Sequence, residues 1–194
     1  MVFRHRVPDP ALHIVSFDWV RKFPAPLAWQ VTAATHGVRV VWLVDDWQVR
    51  SSYHHPASRA IYVNTRGTTW YQTALTYGAA TYVEAVTLWF LHEVGHAAHR
   101  HEGDRRRALR LGKDDPREVQ AWHFALAFRA SQRDKWQRLV DAYAAWYSTY
   151  HHRWKDWPDD LAEARAAGWP ARPYRGWPAL GTERGDLNPR PAPA

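Results

Sequence analysis

The 194-residue chain contains no cysteine, which excludes disulfides, thiolate metal ligands and cysteine nucleophiles together. Any zinc site must therefore be built from histidine and carboxylate. Long apolar runs are missing as well. No stretch approaches the ~18–20 residues needed to span a bilayer, and the opening MVFRHRVPDPALHIVSF, broken by Pro8, Asp9 and Pro10, lacks the apolar core of a signal peptide. A cytoplasmic protein without membrane contact is the expectation.

What is present suits a packed globule: 46% of the residues are hydrophobic and 13 are tryptophan, enough to build a core in a chain of this length. A formal net charge of +7 suits an acidic partner such as nucleic acid. The densest basic run, RHEGDRRRALR from Arg100 to Arg110, has no interleaved aromatic on which bases would stack. It reads as the solvated end of a helix and the connection after it.

Turn residues and periodicity divide the chain. Leu27 to Thr35 reads as a short helix ending at Gly37, and VRVVWLV, Val38 to Val44, as a strand. Trp47 to Tyr53 and Arg59 to Asn64 are two further strands. From Thr81 the period becomes helical, with Val83, Val86, Phe90, Val94, Ala97 and Ala98 on one side, so Thr81 to about His101 is a helix. Asp115 is an N-cap with Pro116 in the first turn. Glu118 to about Tyr150 has neither Gly nor Pro and reads as one long helix or two abutting ones. The domain then spans 1–150; 151–180 is a Trp/Pro-rich extension packed on it, with a short helix from Asp159 to Ala167, and 181–194 is a flexible tail.

Strands before Asn64 and helices after Thr81 make this an α+β domain. Its most informative stretch is LHEVGHAAH, Leu91 to His99. His92 and His96 are one helical turn apart, so both imidazoles leave the same face and can grip one zinc ion. Glu93 stands beside the first, where a carboxylate can reach an activated water without binding the metal. Gly95 in mid-helix costs about 1 kcal/mol against alanine and calls for a compensating reason, such as close approach of another backbone. The competing reading is a buried helix whose histidines simply hydrogen-bond to neighbours.

A catalytic zinc usually takes a third protein ligand. His99 lies on a neighbouring face of the same helix, and His101 reaches back only if the helix ends before it. Glu118 in EVQAWHFALAF is the better candidate, because Ala121 and Ala125 on its face let the two helices come close. Asp115 and Glu118 equally have capping-box spacing. Asp114 and Asp115 are weaker alternatives.

Three stretches, RAIYVN (59–64), LHEVGHAAH (91–99) and EVQAWHFA (118–125), in that order and spacing, resemble the ImmA/IrrE-type zinc metallo-endopeptidases. The resemblance covers about Gly37 to Phe128. It departs after the last stretch, where LAFRASQRDKW has no proline, and the Trp-rich end has no counterpart. The resemblance implies a zincin-like fold in which a small, mainly antiparallel sheet packs on the HExxH helix. It also implies one Zn2+ per chain, held by His92, His96 and Glu118, with Glu93 as the base. In zincins an edge strand pairs with the extended substrate; Arg59, Ala60, Ile61, Tyr62, Val63 and Asn64 are the candidates here. Tyr82, His99, His101 and His123 are candidates for stabilising the oxyanion or supporting the ligands. The implied substrate is a protein, often a DNA-binding repressor. The alternatives are an inactive metal-stabilised interaction protein, or a basic nucleic-acid-binding accessory protein of phage type.

Overall fold

The computed structural model describes residues 4–6, 15–17, 21–45, 52–65, 73–74, 76–101, 115–150 and 166. The Asp159–Ala167 helix, Ala166 apart, the rest of the Trp-rich extension and the tail lie outside the described residues, as do 47–51 of the Trp47–Tyr53 strand.

The described elements are β1 (Arg4–Arg6), β2 (Val15–Phe17), β3 (Arg21–Pro24), α1 (Leu27–Ala34), β4 (Val40–Asp45), β5 (Tyr53–His55) and β6 (Ala60–Asn64). Three helices follow: α2 (Tyr82–Ala98), α3 (Pro116–Ser131) and α4 (Arg133–Tyr150). β1 and β2 form an antiparallel pair, and the main sheet has the order β3-β4-β6-β5. The class is α+β, as the order of strands and helices implies.

The sheet is mixed. β3 pairs with β4 and β5 with β6 antiparallel, but the central pair, β4 and β6, is parallel. The chain skips a position between β4 and β5, and the β5–β6 hairpin folds β6 into the gap. Two of its three pairings are antiparallel, around a parallel centre. One expectation is corrected: the Arg59–Asn64 segment is no edge, because Ala60–Asn64 is bonded to β4 and partly to β5. Arg59 itself belongs to the hairpin turn, at φ 51°. Among the described residues the edge on that side is β5.

Register sorts the two faces. Val41 and Leu43 pair with Ile61 and Val63, and all four are fully buried under the helices. Tyr62 lies on the opposite face, where it stacks on Tyr53 with ring centroids 4.7 Å apart. Trp29 of α1 sits at the centre of the core. It stacks between Phe90 of α2 (4.3 Å) and Tyr143 of α4 (5.0 Å), and its indole N–H donates to the Leu139 carbonyl at 3.0 Å. Burying one such side chain contributes about 1.5–3 kcal/mol, and this one joins three helices.

α2 and α3 each begin on a side-chain cap. Thr81 Oγ1 accepts the Glu84 N–H at 3.2 Å, while the Glu84 carboxylate accepts the Ala80 N–H at 2.6 Å. Asp115 accepts the Arg117 N–H at 3.0 Å, with Pro116 in the first turn of α3. The long segment after Glu118 is two abutting helices, separated only by Gln132 at φ −123°, ψ 54°. No helix among the described residues is long and apolar enough to cross a membrane.

Candidate metal centre

α2 and α3 approach so closely that they share backbone contact. A Cβ built on Gly95 would lie 2.8 Å from the Ala121 carbonyl oxygen and 2.9 Å from its Cα. This is the compensating reason for a glycine in mid-helix. Ala121 and Ala125, both fully buried, keep the facing side of α3 small. Gly95→Ala should therefore destabilise the fold by about 1–3 kcal/mol, as overpacking does, rather than stabilise it by the ~1 kcal/mol that alanine brings to a free helix position. Urea unfolding measures the sign, and an increase in stability would mean the helices part without cost.

The close approach carries Glu118 to the two histidines. Its Oε2 lies 3.1 Å from His92 Nε2 and its Oε1 3.5 Å from His96 Nε2. One donor atom from each of the three side chains falls within 4.8 Å of the others. Tetrahedral zinc at its usual ~2.0–2.1 Å bond lengths sets its ligand atoms about 3.3 Å apart, so the donor set and its spacing fit that ion. Glu118 is turned on the histidines, and Asp115 alone caps the helix.

Other bonds orient each imidazole. His92 Nδ1 lies 3.2 Å from Glu93 Oε1, with both side chains buried. Both ring nitrogens face carboxylate oxygens, which only accept, so the imidazolium donates from Nδ1 to Glu93 and from Nε2 to Glu118. Loss of the Nε2 proton would free that lone pair for a metal. The rings of Trp122 and Trp89 wall His92, with centroids 4.4 and 5.3 Å away. Trp122 in turn stacks on Tyr77 at 4.1 Å. Burial, and then the charge of Glu118, raise the Tyr77 phenol well above its ordinary range, so it stays protonated beside the cluster.

Electrostatics bind the cluster tightly. Burial alone would push the His92 imidazole down, but hydrogen bonds to Glu118 and Glu93, and the charges of both, outweigh it and raise its pKa to about 9. Burial would raise the Glu118 carboxyl, yet bonds to His92 and His96 and their charges hold it well below the usual carboxylate range. A metal ion held by this cluster would have to displace the His92 proton. That proton's contribution to stability is full below the unfolded histidine value of about 6.5 and is lost as pH rises through about 9. The affinity of the cluster for a metal ion such as zinc would run the other way. It should rise about tenfold per pH unit from pH 7 and level off above about 9. Calorimetry at pH 7 in buffers of different protonation enthalpy should show about one proton released per zinc, and a pH-independent affinity would contradict the assignment.

The remaining predicted residues divide. α2 ends at Ala98 rather than near His101, in a Schellman turn: Arg100 N–H bonds the Ala97 carbonyl and His101 N–H the His96 carbonyl, both at 3.0 Å. Arg100 occupies the left-handed C′ position, φ 53°, which glycine usually fills and which costs a side chain about 1–2 kcal/mol. His101 reaches back as a result, but to Nδ1 of His96 at 2.9 Å rather than to the Glu118 side. His99 is exposed and stacks on His101, centroids 5.5 Å apart. His123 is exposed on α3. Tyr82 lies ten residues before His92, about 15 Å along the helix, where its hydroxyl donates to the Thr65 carbonyl deep in the core.

His54 was not flagged by sequence. It pairs with Ile61, so it lies on the sheet face that meets α2. Burial lowers its imidazole to about 4, with the charges of Glu93, His96, His55 and His101 modifying that value. A three-residue strand gives no periodicity from which to choose its face. No family model matches this chain, and comparison with curated proteins and with solved structures finds no match, which leaves the donor cluster and its neighbours as the ground for a function.

Proposed function

We propose that the chain is a zinc-dependent endopeptidase with a zincin-like fold. The observation that carries this reading is the pairing of a three-donor cluster of zinc-like spacing with a buried carboxylate, Glu93, on the residue beside the first donor. A purely structural site would use that carboxylate only to orient His92, whereas a hydrolase also uses it as a base. His92, His96 and Glu118 would hold a Zn2+, which when bound polarises a carbonyl and acidifies water. Glu93 takes the proton of the attacking water and returns it to the leaving amine. His54, on the sheet face that meets α2, offers an N–H to a substrate carbonyl. By its resemblance to the ImmA/IrrE-type peptidases the substrate is a protein, and the net charge of +7 suits a repressor met on DNA, whose phosphates attract a basic surface.

Elemental analysis should find one zinc per chain, and a peptide library should be cleaved in a reaction that a zinc chelator stops. Absence of zinc, even after metal is supplied at neutral pH, would leave the basic nucleic-acid-binding alternative in its place. Zinc without cleavage of any peptide would favour the metal-stabilised interaction protein.

A further inference from the structure

His96 is engaged at both ring nitrogens. Its Nε2 faces Glu118, and its Nδ1 lies 2.9 Å from His101 Nδ1. The other nitrogen of His101, Nε2, lies 3.0 Å from Oε1 of Gln120 on α3. Two imidazole nitrogens share a hydrogen bond only when one carries a proton and the other a lone pair. The amide oxygen of Gln120 only accepts, so His101 carries its proton on Nε2 and offers a lone pair at Nδ1. That lone pair accepts the Nδ1–H of His96. The Nε2 of His96 is then the nitrogen on the Glu118 side, 3.5 Å from Oε1, and the one whose lone pair a metal would take. Ligation through His96 Nε2 calls for the same protons, a donor at Nδ1 and an acceptor beyond it.

We propose that His101 and Gln120 form a relay that locks His96 in its metal-ligating tautomer, which makes Gln120 a positioning residue for the zinc site. The inference rests on the zinc reading above. The backbone is shaped for it. Continued as a straight helix, α2 would carry His101 about 140° around the axis from His96. The Schellman turn through Arg100, in the left-handed region, brings it back against His96 instead. His99 stacks on the outer side of the His101 ring. The two ligand histidines are thus oriented by different means: His92 by Glu93 within α2, and His96 by a side chain from the helix that supplies Glu118. Metal binding and the seating of α3 are coupled through both Glu118 and Gln120.

The test uses the full chain and zinc alone. Zinc affinity is measured by competition with a fluorescent chelator for the wild type, Gln120→Leu, Gln120→Glu and His101→Phe. Nitrogen-proton ring correlations of the zinc-loaded wild type locate the histidine protons. The relay predicts a proton on Nε2 of His101 and on Nδ1 of His96. It predicts a loss of about tenfold in affinity for Gln120→Leu, up to about a hundredfold for His101→Phe, and rescue by Gln120→Glu, which keeps an acceptor oxygen. Gln120 is exposed, so its replacement leaves the core intact. A His101 proton on Nδ1, or affinities within twofold of wild type in both Gln120→Leu and His101→Phe, would overturn the relay and leave the zinc reading standing. A wild type that binds no zinc would overturn both.

Discussion

Glu93→Gln should keep its zinc and lose about 10²–10⁴-fold in turnover, the contribution a positioned general base and acid makes. The two halves of that expectation come from two different functions of one carboxylate. Its Oε1 accepts from His92 Nδ1 at 3.2 Å, and the amide oxygen of glutamine accepts there equally well, so the ligand imidazole keeps its orientation. What the amide loses is basicity, which the proton transfer requires. Glu93→Leu separates the two. It removes the acceptor as well and should lower zinc affinity by about 10–100-fold, as loss of a ligand's hydrogen-bonding partner does. Zinc content and peptide cleavage measured on both variants decide the matter. Full activity in Glu93→Gln would remove Glu93 from the chemistry, and zinc loss in that variant would make it chiefly an orienting group.

That double role was only half legible in the sequence. The spacing of His92, Glu93 and His96 on one helix follows from 3.6 residues per turn, and the cost of Gly95 pointed to a close backbone, which proved to be that of Ala121. Helix starts were readable because Asp115 with Pro116 is a local signal. The contacts that complete the cluster are not local. Gln120 and His101 meet only because Arg100 turns the end of α2 backward, and arginine does not advertise a left-handed turn as glycine would. Trp89 and Trp122, walls of His92, are indistinguishable in sequence from the other tryptophans of the core. The strand order eluded pattern reading for a similar reason. β6 alternates well enough to be recognised, but its place between β4 and β5 depends on a skipped position in the sheet that no short segment records.

Glu118→Ala carries the second large effect. It should lower zinc affinity by more than the hundredfold that marks loss of an orienting partner, because it removes a donor and leaves two histidines on one helix to hold the ion. Glutamate's two oxygens now span both imidazoles, at 3.1 and 3.5 Å. Aspartate is one methylene shorter, and α3 cannot move inward to make up the difference, since Gly95 already touches the Ala121 backbone. Glu118→Asp should therefore restore little of the affinity, even though it restores the charge. A chelator competition on wild type, Glu118→Ala and Glu118→Asp gives the order. If aspartate restored wild-type affinity, charge near the histidines would matter more than reach, and the fixed spacing of α2 and α3 would not be what selects the ligand. If alanine kept full affinity, the third donor would have to come from elsewhere, and His54, on the face of the sheet that meets α2, would be the first side chain to replace.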